Sequence, residues 1–185
     1  MAIKTFTTGE VLTASDTNTY LANSGLVYVG AGTLSLTTSA TNVTGVFTST
    51  YKHYRVLLDI TARSTSNRFD MKYIVGTTPT SSAYYNAGIG CDFASNTTVY
   101  YQRSNNDNQI FFDTQTGSAT YTLDIMDPQL ARGTTMHGRF SSAQTALSLG
   151  FGGVQGSSTQ FTGFQLFTST GTMTVEYLIY GYREG

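Results

Sequence analysis

The sequence predicts an all-β fold: a jelly-roll-like antiparallel β-sandwich preceded by one short N-terminal helix. Three observations predict it. Apolar residues recur with a period of two in segment after segment. Short clusters of turn-forming residues separate those segments. No helical repeat beyond residue 25 is long enough to carry the chain between parallel strands, which excludes an α/β architecture.

The period is plainest in YRVLLDITA, where Tyr54, Val56, Leu58, Ile60 and Ala62 share one face and Arg55, Asp59 and Thr61 the other. In RFDMKYIV, Phe69, Met71, Tyr73 and Val75 oppose Arg68, Asp70 and Lys72. ATYTLDIM repeats the pattern through Ala119, Tyr121, Leu123 and Ile125, and TMTVEYLIYGY through Met173, Val175, Tyr177 and Ile179. This is the signature of half-buried antiparallel strands. Weaker strands are expected at 27–29, 43–47, 85–93, 98–102, 109–113, 134–140, 146–152 and 160–168. The separators are STSN, GTTPTSS, NNDN, TGS, ARG, QGSS and TSTG. About ten short strands at this spacing make a sandwich of jelly-roll type.

Residues 1–24 read differently. KTFTTGEVL is an extended lead-in. Thr13 fits a helix N-cap with Asp16 three residues on, Ala14, Asn18 and Leu21 share a face, and Gly25 stands where a C′ residue would end the helix. A helix of about ten residues does not survive alone in water, so it must dock on its own domain, a sister chain or another protein. Gly30–Gly32 is the expected hinge. The chain thus divides into an attachment segment, 1–30, and a sandwich domain, 31–185.

Composition narrows the function. Ten basic and eleven acidic residues give a net charge of −1 over 185 residues, with no basic cluster, which speaks against a nucleic-acid partner. Charged residues make up 11% of the chain, against about 25% in an ordinary domain. The exterior therefore relies on Ser, Thr, Asn and Gln, as in proteins that work outside cells or assemble into particles. No apolar run approaches the roughly eighteen residues of a membrane span, so no membrane insertion is expected. No basic-then-apolar signal opens the chain, so synthesis in a cytoplasm without export is expected. Cys91 is the sole cysteine, excluding an intrachain disulfide. Its alternation with Ile89 and Phe93 predicts a buried small hydrophobe.

No catalytic, cofactor or metal residue is nominated, and a non-enzymatic role is expected. His53 and His137 lack partners at metal-ligand spacing. There is no G-x-S-x-G elbow. GFGGVQG (150–156) departs from phosphate-loop spacing and reads as a glycine-rich bend or edge. Asp59, Asp70, Asp124 and Glu176 alternate with core residues, as groups on a solvated face do. Asp107, in NNDN, lacks the ligand series of a calcium loop. Aromatic usage is more informative: 13 Tyr, 11 Phe and no Trp. Consecutive strand residues face opposite ways, so one of Tyr84–Tyr85 and one of Tyr100–Tyr101 must point outward. With Arg103, these are the candidate contacts for a receptor or for a sister subunit.

The segment FTTGEVLTASDTNTYL (Phe6 to Leu21), followed by GLVYV, resembles the N-terminal segment of tailed-bacteriophage structural proteins, typically tail-fibre or minor tail proteins. Phe47 to Asp59 is similar to an early core strand of phage jelly-roll domains. Leu123 to Ala131 is similar to their mid-domain strand and turn, and Phe161 to Arg183 to their closing hairpin. The resemblance spans nearly the whole chain. It implies a virion structural protein, and the family's habit implies a homotrimer. Phe6, Val11, Leu12, Ala14 and Leu21 would be buried against neighbouring copies or another virion protein. The sandwich would be displayed for recognition of a host-surface glycan or protein. Because the sandwich follows the helix almost at once, a short tail fibre or spike, or a head fibre, is implied. The alternative is a capsid cement or decoration protein that stabilises the head shell.

Overall fold

The computed structural model describes residues 7–11, 13–16, 25–92, 99–112, 117–142 and 147–183, with side chains at all of these except 92 and 99–102. Near the N-terminus, the Glu10 amide donates to the Thr7 carbonyl at 3.0 Å. Gly9 takes φ 89° within that turn. Ala14–Asp16 are helical, less than one turn. The ten-residue helix is therefore not seen among the described residues, and Leu12 and residues 17–24 lie outside them. Gly25 has φ 96°, and its carbonyl accepts the Arg183 amide at 3.2 Å.

From there the described chain is β. In order the strands are β1 (Leu26–Leu36), β2 (Thr41–Val43), β3 (His53–Arg63), β4 (Phe69–Val75), β5 (Thr78–Pro79), β6 (Tyr84–Asp92) and β7 (Val99–Asp107). They continue with β8 (Ile110–Phe111), β9 (Ala119–Met126), β10 (Thr134–Ser142), β11 (Leu147–Gln155), β12 (Gly163–Thr168) and β13 (Met173–Tyr182). They form two sheets, every described pair antiparallel. The long sheet has the order β1-β13-β3-β9-β10-β11-β6-β7, and the short one β2-β12-β4, with β5 and β8 each pairing with β4.

This order is a jelly roll with an extension. β1-β13-β3-β9 faces β2-β12-β4-β8, the two four-stranded halves of a double Greek key. Two hairpins are inserted, β6–β7 between β5 and β8, and β10–β11 between β9 and β12. They lengthen only the long sheet. The alternation read from sequence sets the inner face: Tyr54, Val56, Leu58, Ile60, Leu123, Ile125, Val175 and Ile179 are buried. Each fully buried aliphatic side chain contributes roughly 1.5–3 kcal/mol over the same side chain in water. Aromatic rings bridge the two layers, among them Phe47 and Tyr54 at 4.8 Å and Phe69 and Tyr121 at 5.6 Å between centroids.

The structure corrects several sequence expectations. Gly30–Gly32 is no hinge. It lies inside β1, paired with β13 just past a bulge at Tyr28/Gly30, and the sandwich already includes Leu26. Gly32 is there because the Tyr177 ring lies across it: a Cβ would fall 2.8 Å from the tyrosine oxygen. Cys91 is exposed, and Ile89 is 58% exposed. The phase of β6 is opposite to the one expected, with Tyr84, Asn86 and Gly90 inward. Leu149 and Phe151 of the neighbouring strand fill the space over Gly88 and Gly90, so the inner face is packed without help from Ile89 or Cys91. Phe93 lies outside the described residues. Asp70 is fully buried beside Arg68, at 2.8 Å, rather than solvated. Val75 is exposed and Ile74 buried instead. NNDN is mostly the end of β7, the turn falling at Asn108–Gln109.

Candidate functional site

The long sheet buries one face against the short sheet. No described element covers the other. Reading the registers across the strands shows what that outer face carries. One cross-strand row runs Tyr28, Tyr180, Arg55, Asp124, His137, Gly152, Ala87, Arg103. The next runs Ala31, Leu178, Leu57, Thr122, Arg139, Gly150, Ile89. Nine large apolar side chains are exposed among the described residues. Six of them, Leu26, Tyr28, Tyr85, Ile89, Val154 and Leu178, lie on this face. Three shallow depressions cross it. One of about 610 Å³ lies over β1, β13, β3 and β9, lined by Ala31, Leu57, Leu178, Asp59 and Glu176. One of about 450 Å³ holds Arg55, Asp124, His137 and Arg139. One of about 320 Å³ holds Tyr85, Arg103, Asn105 and Val154.

The centre of the face is a polar cluster. Arg55 donates through Nε and Nη2 to the two oxygens of Asp124, both at 2.8 Å, in bidentate geometry. The Tyr182 hydroxyl donates to Asp124 Oδ1 at 2.6 Å, and the Arg55 guanidinium sits 5.5 Å from the Tyr182 ring centroid. Burial pushes the Asp124 carboxyl up, but the hydrogen bonds from Arg55 and Tyr182 and the charges of Arg55 and His137 outweigh it, leaving the carboxyl below its ordinary value. Burial, with its hydrogen bond to Asp124, pushes the Tyr182 hydroxyl to about 12. The hydrogen bond to Asp124 raises Arg55. All three groups are thus locked in one protonation state near neutrality. They form a neutralised patch in which none of the three is poised for acid or base catalysis.

Elsewhere the charges are uncompensated. Asp59 and Glu176 are directly opposite across β3 and β13, an arrangement that destabilises a sheet when nothing offsets it. No described cation pairs with them. Arg139 and Arg103 are exposed and have no described acidic partner. Among the described residues, no group of three or more His, Cys, Asp or Glu could hold a metal ion.

The residues nominated from sequence fall as follows. Tyr84 is fully buried; its hydroxyl accepts the Tyr73 amide at 2.8 Å and shares a hydrogen bond with Thr80. Tyr85 is 40% exposed and lies with Arg103 in the third depression. One tyrosine of that doublet is inside and one outside, as strand geometry requires. Tyr100 pairs with Gly90 and Tyr101 with Ile89 in the backbone ladder. Val11 and Ala14 are exposed, while Phe6, Leu12 and Leu21 lie outside the described residues. Arg55, Asp124, Tyr182, Ile89 and Leu178 were not nominated. Alternation puts Arg55 and Asp124 outward, but nothing in the sequence pairs them. Comparison with known proteins finds no family model and no curated protein that matches the chain.

Proposed function

We propose that this chain is a structural protein of a tailed-bacteriophage particle, a short tail fibre, spike or head fibre. The N-terminal segment joins it to the particle, and the β-sandwich is presented for recognition of the host surface. The observation that carries this reading is the outer face of the long sheet. Six large apolar side chains stand exposed there, on a chain with 11% charged residues. They stand in two groups, Leu26, Tyr28 and Leu178 on β1 and β13 and Val154, Tyr85 and Ile89 on β11 and β6, on either side of the polar centre, and apolar patches rimmed by polar residues mark contact with another macromolecule. Tyr85 and Arg103 are contact side chains on it, for a receptor or for another subunit. The N-terminal motif from Phe6 to Leu21 supplies the particle assignment.

The breadth and shallowness of the same face favour a second reading, a cement or decoration protein that bridges shell subunits. The two separate by retention. Purified protein that stays on host cells or host polysaccharide supports the first. Protein that binds only emptied shells, with shells lacking it bursting more readily, supports the second. Leu21→Asp tests the attachment role: the variant is expected to fold with an unchanged melting transition and to be missing from purified particles. Its normal incorporation would remove the adaptor from the account.

A further inference from the structure

We infer that the outer face of the long sheet is the contact between two copies of this chain, packed face to face about a two-fold axis parallel to the strands and running between β9 and β10. The inference goes beyond the particle assignment: it gives this face to a second copy rather than to a receptor or a shell, leaves host or shell contact to the rest of the sandwich, and puts a dimer in place of the trimer that the resemblance implies.

Size comes first. Eight strands spaced about 4.8 Å apart, each about eight residues long, span roughly 34 by 27 Å, or about 900 Å². A standard protein interface takes about 800 Å² from each partner. The face is therefore large enough for a stable contact.

Complementarity comes second. The strand order β1-β13-β3-β9-β10-β11-β6-β7, turned about that axis, lays β13 over the partner's β6, β3 over the partner's β11, and β1 over the partner's β7. Cross-strand rows stay in line. Leu178, 39% exposed, then meets the partner's Ile89, 58% exposed. Leu57 stands over the partner's Gly150, where a Cβ would meet nothing within 4 Å, so a protruding side chain faces a gap. Tyr28, 61% exposed, faces the partner's Arg103, a cation–π arrangement. Sheets packed this way stand about 10 Å apart, the separation such side chains fill.

Charge comes third. Arg55 and Asp124 already neutralise each other, which leaves two acids, Asp59 and Glu176, and two bases, Arg139 and Arg103. The acids sit on β3 and β13, the bases on β10 and β7. Arg139 lies over the partner's β9, beside its β3, with the partner's Asp59 in reach. The face is net neutral and its charged halves exchange under the two-fold. That is what an isologous interface demands. It also gives the opposed Asp59–Glu176 pair the counter-charge that one copy lacks.

Sedimentation equilibrium of the full chain tests this directly. The expected result is a mass twice that of the chain, falling to one on dilution. Ile89→Lys is expected to weaken association at least tenfold with an unchanged melting transition at low concentration, because the side chain is exposed in the single copy. Asp59→Arg and Arg139→Asp are each expected to weaken it by about tenfold, and the double variant to recover most of the loss. A monomer at all concentrations, a trimer, a dimer unaffected by Ile89→Lys, or a double variant no better than the singles would each overturn the assignment.

Discussion

The long sheet is made of two halves that solve the same packing problem differently. In the jelly-roll half, β1, β13, β3 and β9, inward positions hold branched and aromatic side chains such as Val56, Leu58, Leu123 and Val175, all at or below 1% exposure. They interlock with the short sheet. In the extension, β10, β11, β6 and β7, the inward positions include Gly138, Gly88, Gly90 and Gly153. There a few large side chains of the neighbouring strands do the filling: Leu149 over Gly88 and Gly90, Met136 against Gly153, and Phe151 across Gly138 and Gly88. The Phe151 ring lies over Gly138, where a Cβ would come within 2.4 Å of it, and its Cβ crowds Gly88. Phe112 then packs edge-on against Phe151 at 5.3 Å and ties the extension to the body. Glycine in a strand costs backbone entropy, and an aromatic ring laid over it restores the lost contact. The lesson is that the first half is held by many modest contacts and the second by a few large ones. Damage should be shared in one and concentrated in the other.

The largest expected effect breaks the first half. Leu58→Asp buries an unpaired charge, which costs on the order of 3–5 kcal/mol, a large part of the roughly 5–15 kcal/mol that holds a domain folded. The cooperative melting transition should vanish in calorimetry. A soluble variant that melts like the parent would mean that Leu58 is not in the core.

Phe151→Ala sharpens the contrast. Its expected cost is about 3 kcal/mol, and it should be felt locally. Amide hydrogen exchange should quicken along β10, β11 and β6 while β3 and β13 stay protected. Equal quickening in both halves would show that the extension and the jelly roll unfold as one unit.

The smallest effect lies on the outer face. Asp124→Asn loses charge-assisted hydrogen bonds to Arg55 and Tyr182 and should cost about 1–2 kcal/mol at pH 7. The sign of its pH dependence follows from the lowered carboxyl. A carboxyl held below its ordinary value of 3.8 adds stability above that value and loses it as pH falls through the lowered one. Melting temperatures of parent and variant, measured from pH 7 to pH 2, should therefore converge at the acid end. A constant gap would mean that the loss is one of packing alone. Asp70 should act in the opposite sense. Burial, working against Arg68, raises it, so its contribution is greatest at low pH and falls as pH rises through its raised value.

How much was legible in the sequence varied with the same contrast. In the jelly-roll half β3, β9 and β13 can be read from the sequence, because branched side chains alternating with polar ones have only one sensible orientation, whereas β1 reads only as a short strand at 27–29 with a hinge at Gly30–Gly32. Tyr54 to Ile60 and Ala119 to Ile125 behave as read. In β6 both phases were plausible, and the more apolar set, Ile89 and Cys91, is the one that faces out. Its inner face is filled from the next strand, which no reading of β6 alone could reveal. Asp70 departs from its reading for a related reason: alternation marks it as outward beside Arg68, two residues back, but β12 and β8, which flank it at Phe167 and Phe111, come from distant parts of the chain. Of the tyrosine doublets, the geometry required one of Tyr84 and Tyr85 to face out, and only packing against Tyr73 and Thr80 decided that it is Tyr85.

The amino-acid order by itself determined that the chain makes strands, where the turns fall between most of them, and which side of the central strands avoids water. Each of those is a local consequence of side-chain period and turn chemistry. The tertiary structure decided which strands are neighbours. It brought Arg55 to Asp124, 69 residues away, and set Asp59 beside Glu176. It also joined two inserted hairpins into a continuation of one sheet. Such pairings depend on register between distant segments, a competition among many antiparallel partners of similar intrinsic strength, and that competition is settled only when the two layers close over a common core.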